Sequence, residues 1–201
     1  HEWGWATRDE HQELMERVAR DDEKAFAELV QALAPSLLRF VRRALAAQAA
    51  EAEAVVQEVF VRVWKARHRW RPDATVKGYV FTIASRLCLN CARGRRRAPA
   101  LQPVQPEGEP YRDLADAAAS PERLMHSSQL RAALDREISA LPPNQRAALL
   151  LRHGEDLSHR ESAVALDTSG AAVESLLSRA RARLRQRLAG WFTEGNLGGR
   201  G

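Results

Sequence analysis

The stretch from Glu51 to Arg97, EAEAVVQEVF VRVWKARHRW RPDATVKGYV FTIASRLCLN CARGRRR, sets an apolar helical face, a basic aromatic turn and a second helix one after another. Val55, Val56, Val59, Phe60, Val63 and Trp64 recur at the spacing of an amphipathic helix, leaving Glu53, Gln57, Glu58, Arg62 and Lys65 on its other faces. In the segment Arg67 to Asp73 basic and aromatic residues are interleaved, and Pro72 disfavours helix at Arg71, so it reads as an exposed loop. A second helix is expected from about Val76 to Arg93. Val76, Val80, Ile83, Ala84, Leu87, Cys88 and Cys91 share one side of it, and Tyr79, Thr82, Arg86, Asn90 and Arg93 the opposite stripe.

Between Arg62 and Arg97 there are eleven Lys or Arg against one acid, Asp73. A chain that needs only solubility mixes both signs. A one-signed field attracts phosphates, and aromatic rings among the charges can stack on unpaired bases. The competing reading is a solvated basic face with Trp64 and Trp70 in the core. The whole chain carries a net charge of +5, which also favours an acidic partner.

Its 201 residues, 45% of them hydrophobic, can bury a core and suit one domain or two small ones. The two cysteines, Cys88 and Cys91, lie on the apolar side of a helix; they are half a metal site at most and exclude a disulfide framework. A reducing cytoplasm is the expected location, with no direct membrane insertion, since no apolar run approaches a membrane span. His68, His153 and His159 are too dispersed for a triad, and no glycine-rich phosphate loop occurs. The expectation is therefore no catalytic site, no metal and no cofactor.

Before the organising stretch, Leu14, Met15 and Val18 suggest a short helix, and Asp21-Asp22 offer caps for another carrying Phe26, Leu29, Val30 and Leu33. Pro35 is expected to interrupt that helix before one through Leu37, Leu38, Val41 and Leu45. From Ala98 to about Pro121 five of the nine prolines gather with four acids, the composition of a flexible linker. The C-terminal block resumes with Leu130, Leu134, Ile138 and Leu141, then a helix through Ala147, Leu150 and Leu151. Ser158 and Glu161 form a capping-box pattern, Asp167 to Gly170 a short turn, and Val173, Leu176, Leu177, Ala180, Leu184 and Leu188 the buried side of a last helix. Helix, short turn, helix is the outline of a DNA-reading element, with small and polar residues leading into arginines. The fold class is all-α: two small helical domains joined by a flexible linker, the C-terminal one containing a helix-turn-helix.

Several of these segments, taken in order, resemble one family. Gln57-Glu58-Val59-Phe60, Trp64, Tyr79-Val80-Phe81-Thr82-Ile83-Ala84 and Arg95-Arg96-Arg97, then Leu141-Pro142-Pro143-Asn144-Gln145-Arg146 and Leu157-Ser158-His159-Arg160-Glu161-Ser162-Ala163, are similar to the two signature regions of an extracytoplasmic-function sigma factor of bacterial RNA polymerase. The resemblance spans roughly residues 20 to 188. It implies region 2 over 8–97, an acidic proline-rich linker over 98–123, region 4 over 124–190 and a flexible tail over 191–201. It implies that Glu53, Gln57, Glu58 and Arg62 meet the clamp helices of the largest subunit of core polymerase. It implies that Trp70, Arg71, Asp73, Lys77, Tyr79, Arg86, Asn90 and Arg93 read the minus-ten element of promoter DNA, where a base is flipped from the non-template strand. His159, Arg160, Ser175, Ser178 and Arg179 are the implied minus-thirty-five contacts, and an anti-sigma factor is the implied regulator.

This chain departs from the family at Ala54, in place of an acid, and at Arg86, in place of Asn. Glu174 and Leu176 stand where basic residues are usual. A carboxylate at 174 repels phosphate and could accept only from a cytosine amino group, which points to an atypical promoter. Other classes remain distinguishable: a two-domain repressor or activator would bind duplex without polymerase, and an RNA-binding module would prefer single strands in any context. Changing Arg179 to Ala is expected to relax minus-thirty-five choice by about 1–3 kcal/mol at one base pair, whereas Arg95 to Ala weakens binding to all promoters alike. Titrations across promoter variants separate the two, and equal loss on the same promoters would refute the division.

Overall fold

The computed structural model describes residues 10–95 and 121–194, and every regular element among them is helical. The short α1 (Gln12–Val18) ends in a turn where Asp21 takes a φ of 67°, and Asp22 then caps α2 (Glu23–Leu45) by accepting the Ala25 N–H at 3.0 Å. That bond and the neighbouring Arg17 guanidinium hold the Asp22 carboxyl below the usual range. A 3-10 stretch, Ala46–Glu51, leads to α3 (Ala52–Ala66); a 3-10 turn, Arg67–Arg69, and an irregular segment follow, then α4 (Val76–Arg95). The described residues resume with α5 (Pro121–Ser139), followed by α6 (Pro143–Leu149), a wide π-type turn over Leu150–Gly154, α7 (His159–Ala165), α8 (Gly170–Arg187) and α9 (Ala189–Glu194).

Pro35 does not end the second helix. It sits inside α2 on the solvent face, while Leu29, Leu33, Leu37, Phe40, Val41 and Ala44 keep one buried stripe across it. Pro35 has no N–H for the Gln31 carbonyl, but on that face water can satisfy the freed group. Burial of each large apolar side chain on the stripe contributes about 1.5–3 kcal/mol, enough to carry the helix through the proline.

The linker expected over 98–123 lies outside the described residues except for 121–123, which open α5. Arg96 and Arg97 also lie outside them, as do residues 8–9 and 195–201, whereas 191–194 belong to α9 and are not tail. Val164, on α7, is 53% exposed.

Helix α2 is the axis of the molecule. Its N-terminal half packs on α1 and α3, with Phe26 against Trp64 at 4.9 Å between ring centroids. Its C-terminal half meets α4, where Phe40 and Phe81 pack edge to face at 5.2 Å, and also touches α5, α6 and the wide turn. The buried residues of both halves therefore form one continuous cluster, with Leu149, Leu150 and Leu151 joining Leu37 and Phe40. Changing Pro35 to Ala restores a helical hydrogen bond without touching the core. It should raise the denaturation midpoint, by about 1–3 kcal/mol of stability, and an unchanged or lower midpoint would show that the bend is required.

Candidate nucleic-acid interface

Glu53, Gln57, Glu58 and Arg62 lie exposed on the solvent side of α3, opposite Val56, Val59, Phe60 and Val63. Glu58 pairs with Arg62 at 2.7 Å, and Glu53 reaches Arg42 of α2 at 3.4 Å. Between them Val61 is 43% exposed, an apolar spot in a charged stripe.

The segment after α3 is anchored at Arg67 and Trp70, while His68, Arg69, Arg71, Pro72 and Asp73 are exposed, as expected of a loop. Arg67 stacks over the Trp64 ring at 4.2 Å, donates to the Trp64 carbonyl at 2.7 Å and pairs with Asp21. His68 lies 3.1 Å from the Ala19 carbonyl. Trp70 is buried, with its indole N–H left without a partner among the described residues, so its ring pins the segment beneath the surface and offers no stacking face there. Pro72 keeps the next residues out of helix, and Arg71 and Asp73 emerge on the exposed loop that remains.

Helix α4 begins at Val76, directly after Thr75, whose hydroxyl accepts the Gly78 N–H at 2.9 Å. Arg86 reaches the Val164 carbonyl of α7, Lys77 reaches Glu155, and Asn90 accepts from Arg93 at 2.5 Å. Tyr79 is half-buried, and burial pushes its phenol up from its ordinary value.

The helix-turn-helix is fixed by its caps. Ser158 and Glu161 make the expected capping box on α7. Asp167, at a φ of 52°, closes that helix with two bonds, Asp167 N–H to Val164 O and Thr168 N–H to Ala163 O. Ser169 then caps α8 by accepting the Ala172 N–H at 3.2 Å. On α8, Ser178 and Arg179 are exposed and Ser175 half-buried; His159 and Arg160 stand exposed at the start of α7. His159 approaches Glu174 at 3.9 Å.

The structure also brings the two candidate DNA surfaces together. Arg86 of α4 shares an open cleft of about 600 Å³ with His159, Arg160, Val164, Thr168 and Gly170, and donates to the Val164 carbonyl at 3.3 Å. Lys77 pairs with Glu155 at 3.2 Å and lies over the Phe81 ring. Glu161 accepts the Thr75 hydroxyl while its other oxygen serves the capping box. Burial works against the Glu161 charge, but these bonds outweigh it and hold the carboxyl below its ordinary value. At Glu155 burial wins over Lys77 and the carboxyl is raised. Gly78 allows close packing at this crossing: a Cβ there would stand 2.6 Å from a Glu161 side-chain oxygen and 3.0 Å from the Thr75 hydroxyl, so those side chains would have to shift.

Sequence reasoning did not find Thr75, Glu155 or Arg146. Arg146 is 6% exposed, with Nε donating to the Ala44 carbonyl at 3.0 Å and one terminal nitrogen donating to Ser139 O at 2.6 Å and Leu141 O at 3.2 Å. The available signal was an arginine immediately before the run Ala147 to Leu151 and four residues ahead of Leu150, on the apolar stripe.

Two family models match the chain: sigma-70 region 2 over residues 29–98 and sigma-70 region 4 over residues 131–184. The chain is 32% identical over 178 residues to the RNA polymerase sigma-H factor of Pseudomonas aeruginosa, covering 87% of this chain and 92% of that one. It is 31% identical over 173 residues to the ECF RNA polymerase sigma-E factor of Escherichia coli, covering 85% and 90% respectively. In fold it is similar to the sigma factor RpoE of Bartonella quintana, solved in complex with the anti-sigma factor NepR, with a TM-score of 0.62 and 19% identity over 83% of this chain and 98% of that one.

Because Arg146 holds three carbonyls by a planar fork, Arg146→Lys is expected to destabilise the chain by about 1.5–3 kcal/mol and Arg146→Ala by more. Denaturant unfolding at neutral pH checks this; a lysine variant as stable as the parent would show that the fork geometry is unimportant.

Proposed function

The chain belongs to the extracytoplasmic-function sigma factors of the sigma-70 family, and on that premise we propose which of its residues meet which partner as it directs core RNA polymerase to promoters. Region 2 is assigned to 8–97, the linker to 98–123 and region 4 to 124–190. The observation that carries the reading is the presence of both regions, in order, on one chain whose α4 and α8 each present polar and basic side chains.

The exposed stripe of α3, Glu53, Gln57, Glu58 and Arg62, docks on the clamp helices of the largest subunit. Its mix of charge around exposed Val61 suits a partner surface that is part apolar. Arg71, Asp73, Lys77, Tyr79, Arg86, Asn90 and Arg93 receive the non-template strand at minus ten. Unstacking a base costs a few kcal/mol, offset by phosphate pairing to Lys77, Arg86 and Arg93 and by contact with the Tyr79 ring. Trp70 serves this site from below, by holding the loop that carries Arg71 and Asp73. At minus thirty-five, Ser175, Ser178 and Arg179 face the groove while His159 and Arg160 hold the backbone.

Sigma factors are initiation factors, and this one is read as having no chemistry of its own. Among the described residues no helix is long and apolar enough to cross a membrane; the proposed work with core polymerase implies a cytoplasmic location. An anti-sigma factor is the proposed regulator, as in the solved complex of the fold neighbour.

The test is transcription from a library of random promoters by purified core polymerase with and without the chain. Start sites appearing only with it, sharing elements near minus ten and minus thirty-five, are the expected result. Core that is neither bound nor redirected would refute the reading and leave a duplex-binding repressor in its place.

A further inference from the structure

The helix assigned to the minus-thirty-five element starts with few side chains able to reach a base edge. From Gly170 to Ser178 it reads GAAVESLLS, and Glu174 is the one charged residue in that run. Val173 and Leu177 are buried, Leu176 packs partly against the same core, and Ala171, Ser175 and Ser178 are short. The Glu174 side chain is 70% exposed. By helical period it shares the outer stripe of α8 with Ala171, Ser178 and Ala182, all of them exposed. Of the two departures from the family on this helix, Leu176 therefore serves packing, and Glu174 alone alters the face that a groove would meet.

The helix gains little from this carboxylate. It lies beyond the first turn of α8, where the positive end of the helix dipole is felt only weakly. His159 of α7 stands with Nδ1 3.9 Å from the carboxylate, and an exposed pair at that distance adds little stability. His159 is itself assigned to the DNA backbone. The pair therefore sets a side chain meant for phosphate beside one that phosphate repels, and Glu174 approaches duplex favourably only where a base supplies a donor.

In the major groove two bases do, adenine at N6 and cytosine at N4. The adenine amino group lies between two acceptors, its own N7 and thymine O4, and both repel a carboxylate. The cytosine amino group has an acceptor, guanine O6, on one side only, so it is the better match.

We propose that Glu174 determines specificity at minus thirty-five: its carboxylate accepts from the N4 amino group of a cytosine, so the element read by this chain contains a C·G pair at the position facing the second turn of α8. Any other pair there leaves the carboxylate desolvated without a donor, which confines the preference to one position. The inference deepens the sigma-factor reading and rests on it.

The test is initiation by core polymerase with the full chain on promoters randomised across the minus-thirty-five element, comparing the parent with Glu174→Gln and Glu174→Ala. The site is exposed, so both variants should keep the parent's denaturation midpoint. The parent should select C·G at one position and lose about 5- to 150-fold in initiation with the other pairs. Glutamine, which pairs bidentately with adenine, should move that position to A·T, and alanine should accept all four pairs there. Preferences at the other positions should stay as in the parent.

A parent that selects no C·G pair overturns the proposal, and so does a cytosine preference that survives in both variants. Uniformly stronger initiation from every promoter with Glu174→Ala would show a carboxylate that only repels phosphate, and overturns it as well. In each of these cases start sites still depend on the chain and the sigma-factor reading stands. A parent that redirects no start sites overturns both.

Discussion

A buried guanidinium has to have its donors satisfied, and Arg146 meets that demand with carbonyls from three separate places: Ala44 at the end of α2, Ser139 at the end of α5 and Leu141 in the turn before α6. Helix ends expose carbonyls that have no partner within the helix, and here one side chain serves two of those ends and the connecting turn. The alignment of α2 with region 4 follows from this bond set. With α2 fixed there, the wide turn at Leu150–Gly154 packs on it, and α7 is delivered to α4 at Gly78. An apolar residue of similar volume would fill the space but leave three carbonyls dry, which costs more than the space is worth.

Around that frame the charges are divided. The basic side chains assigned to DNA lie on the loop at Arg71, on α4, at the start of α7 and at Arg179 of α8, while two acids, Glu155 and Glu161, sit at the seam with unlike fates. Glu161 has hydroxyl and N–H donors around it and stays ionised with ease; Glu155 has one ammonium and little water, and resists its charge. The seam is thus strong on one side and soft on the other.

The helices were legible because burial obeys helical period. The apolar face of α3 agrees with the residues found buried, that of α4 does so at Val76, Val80, Ala84 and Cys88 but missed the buried Phe81 and Ser85, and the Ser158–Glu161 cap and the turn at Asp167 could be seen in local sequence. Pro35 misled because a proline's local cost was weighed without the stripe of side chains that continues beneath it. For Trp70 the sequence left two readings open, a ring among DNA-facing charges or a core residue, and the buried ring favours the second, since burying a large aromatic gains more than exposing it. Thr75 and Glu155 were invisible for another reason: each acts through a partner more than 70 residues away, Thr75 with Glu161 and Glu155 with Lys77. No window along the chain contains such a pair.

Cys88 lies in the core side of α4, and burial pushes its thiol up to about 12. Cys91, one turn on, is only half-buried and is also raised. Alkylation needs thiolate and access, so neither cysteine reacts from the native packing at the rate of a free thiol. What the reagent reads instead is how often α4 breathes away from α2. The helix assigned to the minus-ten strand thus carries its own chemical clock, with Cys91 timing the fraying of its outer turns and Cys88 the loss of the core itself.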